Sequence, residues 1–356
     1  MKALRIFLFS GLALAALGVI YYFFLWPDPA VYQGRKGKYS LSIFNHKGER
    51  LSKRRGRLRL LLDPFTIYRN YPNQDHGSYS IDENGFRKGY RDREAPRRAM
   101  VIGGSAAFGQ GLENNDQTFA SLLSRKSAEY DVLNAAVVGF LSGQELAGMV
   151  QRLDSFRPDL YIIFDGWNDV FDPLMFAGRR PLNFGPIGFN NTFLVIEERL
   201  RNSYLREHGK AGEIPDLIQP GRHLDKDEYF EKIVQTYLEN LSRMAAFSRS
   251  RGAKILVVFQ PEVGNMKTRS NREEKYLRRW ERSYGYLKKG VPERYRALLD
   301  TAGEFCAENN IPYIDINEEP EFSENSQTLF YDVVHPNPAG HAIIAELIGK
   351  KLETLD

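Results

Sequence analysis

The sequence predicts an α/β fold with a mainly parallel five-stranded sheet covered by helices on both faces. Three observations predict it. From about Ala95 onward, short apolar runs alternate with longer stretches patterned as helices, and such alternation implies strand–helix crossovers and a parallel sheet. The third apolar run, Asp159–Phe164, is almost wholly apolar, as strands buried on both faces are. The longest helical stretch, Asp227–Arg251, ends at Gly252, where a new apolar run begins at once.

Taken in order, Arg98–Ile102 is the first strand and breaks at Gly103-Gly104 before Ser105. Asp116–Arg125 is helical and Asp131–Ala136 is the second strand. Ser142–Ser155 is a helix with apolar positions at helical spacing, and Asp159–Phe164 is the third strand. Asp227–Arg251 is the long helix, Lys254–Phe259 the fourth strand, Pro292–Asn309 a helix, and Pro312–Ile316 the fifth strand. Pro338–Leu355 closes the fold as a helix. Two segments, 172–226 and 262–290, interrupt the alternation after the third and fourth strands. Long insertions at strand C-termini serve as substrate lids or partner surfaces. The second contains Tyr276-Leu-Arg-Arg-Trp-Glu-Arg-Ser-Tyr284. It reads as a solvated helix, or as a basic and aromatic grip for an anionic, sugar-like or membrane surface.

The N-terminus differs from the rest. Ile6 to Trp26 carries no charge, and Lys2 and Arg5 precede it. The run is long enough for a transmembrane helix, which needs about 20 apolar residues. A cleaved signal peptide is the competing reading. The bulky end Tyr21-Tyr-Phe-Phe-Leu-Trp26 suits an interfacial aromatic belt and offers no small-x-small cleavage site. Residues 1–29 are therefore expected to be an uncleaved single-pass anchor. Basic residues flank the run on both sides, so the positive-inside rule does not orient it. A short basic tail before a long domain is the usual look of an export anchor, which places the domain outside the cytoplasm.

Residues 30–94 are expected to form a juxtamembrane region with two basic groups, Gly34-Arg-Lys-Gly-Lys38 and Lys53-Arg-Arg-Gly-Arg57. Near a membrane such groups attract anionic headgroups. No nucleic-acid recognition motif accompanies them. Asn84-Gly85 marks a turn leading into the domain, residues 95–356. The net charge of +4 argues for no particular partner. The single cysteine, Cys306, excludes an internal disulfide and a cysteine metal site, and is expected on a helix as a small apolar residue. No His-Glu-x-x-His supports metal-dependent hydrolysis, and no cofactor is implied.

Ser105 lies in Val101-Ile-Gly-Gly-Ser-Ala-Ala-Phe-Gly109, a strand–turn–helix that presents a hydroxyl at the open end of the sheet. The following helix offers free N–H groups and a positive dipole end, which suit an oxyanion. Of the six histidines, His335 stands out, because Asp332 precedes it by three residues in Tyr331-Asp-Val-Val-His-Pro-Asn-Pro338. In a turn, that spacing lets the carboxylate hold one imidazole nitrogen and leaves the other for a nucleophile. Phe164-Asp-Gly-Trp-Asn-Asp169 ends the third strand and places the Asn168 amide at the same edge, while Asp169 caps a helix or holds the loop. Gly139, after the second strand, supplies a backbone N–H as a further oxyanion donor.

The order Ser105, Gly139, Asn168, then Asp332 and His335, each at a strand end, resembles the SGNH (GDSL-type) hydrolase superfamily over roughly residues 95–355. Gly166-Trp167-Asn168-Asp169 matches its Gly-x-Asn-Asp block and Asp332–His335 its Asp-x-x-His block. The first block departs, because Gly104 stands where relatives carry Asp. The resemblance implies a flavodoxin-like three-layer α/β/α sandwich and hydrolysis or transfer of ester-linked acyl groups. It implies Ser105 as nucleophile, His335 as base, Asp332 as its orienter, and Ser105, Gly139 and Asn168 as the oxyanion hole. The expected substrate is an acyl ester, carbohydrate- or lipid-linked. An O-acyltransferase of cell-envelope carbohydrate using the same triad is the first alternative, and a non-catalytic membrane-tethered binding protein the second. An α/β-hydrolase is disfavoured because Ala107 breaks Gly-x-Ser-x-Gly, and a P-loop because no Lys follows the glycines.

Overall fold

The computed structural model describes residues 41–44, 58–92, 94–175, 226–284 and 290–355. The expected membrane anchor, both basic groups and most of the first insertion lie outside the described residues. Among the described residues, no helix is long and apolar enough to cross a membrane.

The strands are β1 (Leu41–Phe44), β2 (Leu58–Asp63), β3 (Ile67–Asn70), β4 (Gln74–Asp75), β5 (Ser80–Ile81), β6 (Arg97–Gly103), β7 (Tyr130–Asn134), β8 (Leu160–Asp165), β9 (Lys254–Phe259) and β10 (Tyr313–Asp315). The α-helices are α1 (Ser105–Phe108), α2 (Phe119–Lys126), α3 (Ser142–Gln151), α4 (Trp167–Met175), α5 (Lys226–Ser250), α6 (Asn271–Tyr284), α7 (Val291–Glu308), α8 (Pro320–Ser323) and α9 (Pro338–Leu352).

The main sheet has the order β10-β9-β8-β6-β7, and every pairing within it is parallel. Numbering these strands as they occur gives the flavodoxin-like order, in which ligands bind at the crevice where the order reverses. That crevice lies between β6 and β8. Side chains alternate along each strand, and both faces are buried. Ala99 and Val101 of β6 join one core, while Met100 and Ile102 join the other. Phe119 and Leu123 of α2, with Ile344 and Ile348 of α9, cover the first face. Ile233 and Leu241 of α5, with Leu298 and Cys306 of α7, cover the second. Cys306 is buried on α7, and burial pushes its thiol up to about 12, so it is an inert apolar side chain.

The region before the domain carries more structure than its charge pattern implied. β1 pairs parallel with β2, and β2 antiparallel with β3. Leu58, Leu60, Tyr68, Tyr79 and Ile81 join the same core as β6 and β8. The described part of residues 30–94 thus packs on the domain. In the second insertion, α6 is amphipathic in a plain way. Its Trp280 lies 6.0 Å from the Trp167 ring and 6.3 Å from Phe171, while Arg278 meets Glu274 and Arg282 the Arg278 carbonyl at exposed positions.

Glu262, just past β9, is fully buried and accepts from the Gly264 N–H at 2.6 Å. Burial raises its carboxyl to about 7, against the lowering effect of backbone N–H groups and Arg269. The folded protein therefore keeps a proton that the unfolded chain has released above its ordinary value of 4.5. The stability linked to this proton is fully present below that value and declines as pH rises toward 7. The loss is on the order of a few kcal/mol. Thermal unfolding followed from acid to neutral pH is expected to show Glu262→Gln gaining Tm relative to the parent protein as pH rises, because the variant lacks this proton linkage. A difference in Tm between the two proteins that does not change over this window would contradict the assignment.

Candidate active site

Ser105 is the first residue of α1, directly beyond β6. Gly103 is required at the turn, because a Cβ there would lie 2.3 Å from the Phe164 carbonyl oxygen of neighbouring β8. The helix that follows is short. It is one turn, ended by Gly109 in the left-handed conformation, and one turn carries little of the summed dipole of a long helix. The useful groups are instead local N–H donors. Among the described residues, neither the Ser105 nor the Gly139 N–H donates to a protein acceptor. Asn134 Nδ2 binds the Ala107 carbonyl at 2.9 Å, and the Arg87 guanidinium binds the carbonyls of Phe108 at 2.9 Å and Gly109 at 2.6 Å. The turn is thereby clamped from two sides.

The structure brings Ser105, His335 and Asp332 into one hydrogen-bonded chain across 230 positions of sequence. His335 Nε2 lies 2.9 Å from Ser105 Oγ, and Nδ1 lies 2.7 Å from Asp332 Oδ2. Asp332 Oδ1 also accepts the N–H groups of Val334 at 2.9 Å and His335 at 3.0 Å. Burial raises the Asp332 carboxyl, but the His335 charge, the ring hydrogen bond and these N–H donors outweigh it and hold it below the usual range. The His335 ring is 2% exposed.

Its loop is fixed by many bonds. Tyr331 N–H donates to His335 O at 2.9 Å, Val263 N–H to Val333 O at 2.9 Å, and Leu329 N–H to the buried Glu273 at 2.7 Å. The position of the imidazole is thereby fixed by its own loop as well as by Asp332.

Gly139 and Asn168 reach the same edge from β7 and β8. Asn168 Nδ2 donates to Phe140 O at 2.8 Å, which leaves its second hydrogen for a ligand. A Cβ on Gly104 would lie 2.5 Å from Asn168 Nδ2. The departure at position 104 therefore has a steric counterpart, since the Asn168 amide occupies the space that a side chain there would enter. Asp169 holds the loop. It accepts Ser142 N–H at 3.0 Å and Ser142 Oγ–H at 2.5 Å, and Asn240 Nδ2 donates to the same hydroxyl at 2.9 Å.

Beneath this loop lie three buried carboxyls that the sequence did not single out together, namely Glu145, Asp165 and Asp169. Burial raises all three, and their mutual proximity raises Glu145 and Asp169 further. A neighbouring pair of this kind holds a proton, and Tyr237 donates to Asp165 Oδ1 at 2.7 Å. Among the described residues, no group of three or more His, Cys, Asp or Glu could hold a metal ion. Of the other described histidines, His341 is structural. Burial, Arg87 and His335 push its ring down to about 3, and its Nδ1 accepts the Phe119 N–H at 3.2 Å. His76 faces Gln74 at 3.1 Å.

The flavodoxin-order sheet thus carries a serine, a histidine and an aspartate hydrogen-bonded in series at its switch point. A family model described as the GDSL-like lipase/acylhydrolase family matches residues 101–343, and the chain belongs to that family of ester-acting hydrolases. No curated protein matches. Among solved structures, a lipase/acylhydrolase from Enterococcus faecalis is 18% identical, with a TM-score of 0.43, covering 72% of this chain and 96% of its own. An acetylxylan esterase from Geobacillus stearothermophilus is 13% identical, with a TM-score of 0.41, covering 72% and 94%. A GDSL-like lipase from Bacteroides thetaiotaomicron is 15% identical, with a TM-score of 0.41, covering 72% and 88%.

Proposed function

We propose that the protein is a serine esterase in which Ser105 is the nucleophile, His335 the base and Asp332 the group that orients it. The observation that carries this reading is the 2.9 Å approach of Ser105 Oγ to His335 Nε2, with the far ring nitrogen held by Asp332. Ser105 Oγ attacks the ester carbonyl as Nε2 takes its proton. Asp332 keeps the Nδ1–H tautomer and stabilises the imidazolium. The oxyanion takes hydrogen bonds from the Ser105 N–H, the Gly139 N–H and the free hydrogen of Asn168 Nδ2. His335 returns the proton to the departing alcohol, and water then attacks the acyl-enzyme through the same base. The substrate class we assign is an acyl ester borne by carbohydrate or lipid. The test is consumption of an aryl acetate by the full chain in detergent. Free acetate is expected to appear in step with the phenol. Absence of turnover, with the protein folded, would overturn the reading.

We propose further that residues 1–29 tether this domain to a membrane and leave it outside the cytoplasm. The uncharged run from Ile6 to Trp26 supports the tether. The full chain is expected to stay with carbonate-washed membranes and to yield its domain to protease added from outside. Recovery in the soluble fraction would refute the anchor.

A further inference from the structure

The structured segment before the domain touches the backbone around Gly139 in a way the catalytic scheme does not use. We propose that Tyr68, on β3, is a positioning residue that aims the Gly139 N–H at the oxyanion. The proposal rests on the reading of that N–H as an oxyanion donor.

Tyr68 is fully buried. Its hydroxyl faces two successive carbonyls, Gly139 O at 2.9 Å and Val138 O at 3.2 Å. The Val138 carbonyl and the Gly139 N–H belong to one planar peptide. Fixing the oxygen therefore fixes the direction in which the N–H points. A hydroxyl proton shared with that oxygen also polarises the peptide and strengthens its N–H as a donor. Gly139 has a φ of +76°, in the left-handed region, where a glycine backbone is free to move unless something holds it. The Tyr68 ring adds a second hold. It packs edge-on against Phe140, with ring centroids 5.3 Å apart, and Phe140 O is the acceptor of the Asn168 amide. One side chain thus braces the peptide that carries one donor and the residue that seats the other.

Neighbouring contacts extend the hold along the same loop. Asn70 Nδ2 donates to Ala136 O at 3.0 Å, and Gln144 Nε2 on α3 donates to Thr66 O at 2.8 Å. The β2–β3 hairpin therefore lies against the loop from Ala136 to Leu141 and the start of α3 as a fixed support. Such a support is worth having because an oxyanion donor contributes only while it is aligned, and a misplacement of about 1 Å can cost about a hundredfold in rate.

The test compares the full-length protein with Tyr68→Phe on an aryl acetate, alongside Ser105→Ala. Tyr68→Phe removes one oxygen and keeps the ring. Its kcat is expected to fall about 10- to 50-fold, less than the hundredfold or more for loss of a whole oxyanion donor, with KM kept within about twofold. Affinity for an arylboronate, a tetrahedral-anion mimic, is expected to fall by the same factor, which a merely structural role would not produce. A folded Tyr68→Phe that keeps both kcat and boronate affinity would overturn the proposal, and so would a change in KM alone. If Tyr68→Phe is not recovered folded, Phe140→Leu tests the ring contact. Its expected loss is about 3- to 10-fold in both readouts, and retention of both would overturn the proposal. Failure of the underlying site is recognised separately, as Ser105→Ala hydrolysing as fast as the parent protein.

Discussion

Ser105→Ala is expected to lower kcat on an aryl acetate by about 10⁴- to 10⁶-fold, the range seen when the nucleophile of a serine hydrolase is removed. The oxyanion donors remain, so a residual rate above that of water should survive. Stability should change by about 1 kcal/mol or less. The hydroxyl's contact is the His335 ring, and the turn is held by other groups, namely the Arg87 guanidinium and the Asn134 amide. Steady-state kinetics with matched unfolding curves checks both parts. Loss of activity together with loss of the cooperative transition would mean that Ser105 is structural. Activity within about tenfold of the parent would mean that another group attacks the ester.

The second large effect is expected at Asp332. Asp332→Asn keeps an oxygen for the Val334 and His335 N–H groups, which both bind Oδ1. At the position of Oδ2 it presents an amide donor to His335 Nδ1, where the carboxylate now accepts at 2.7 Å. The ring then carries its proton on Nε2 and can no longer take one from Ser105. The expected loss is about 10³- to 10⁴-fold in kcat with KM little changed, as for the equivalent change in other triads. Asp332→Ala tests the same point differently, since it frees the tautomer but leaves the ring without a hold. A kcat within about tenfold of the parent for Asp332→Asn would remove Asp332 from the catalytic chain.

The strands of the domain were legible because parallel strands buried on both faces must be apolar along their whole length. Lys254–Phe259 agrees at both ends, and Arg98–Ile102 falls one residue short at each end. The serine and the Asp-x-x-His pair were legible because each carries a local signal, a glycine turn in one case and a fixed spacing in the other. Their proximity was not local, and the resemblance to a known superfamily supplied it before the geometry did. The helix after Ser105 was legible as a helix but not in its extent, because Gly109 ends it through a left-handed turn only four residues in.

The supporting residues were not legible for a physical reason. Tyr68 and Asn70 act through bonds to backbone carbonyls some 66 to 71 positions away, and a backbone carbonyl leaves no mark in sequence. The charge pattern of the region drew attention to Lys53–Arg57, while the strands that reach the loop after β7 lie in the quieter run from Leu58 to Asn70. Gly104 is a similar case. As a letter it is a missing aspartate, and only the position of the Asn168 amide gives it a meaning.

The most direct test of the account is covalent labelling of the full-length protein with a fluorophosphonate, followed by mass mapping of the modified peptide. The triad predicts one adduct on Ser105, formed rapidly by the parent protein and greatly slowed in Asp332→Asn. An adduct on another serine, or no adduct on a folded protein that hydrolyses aryl acetate, would contradict it.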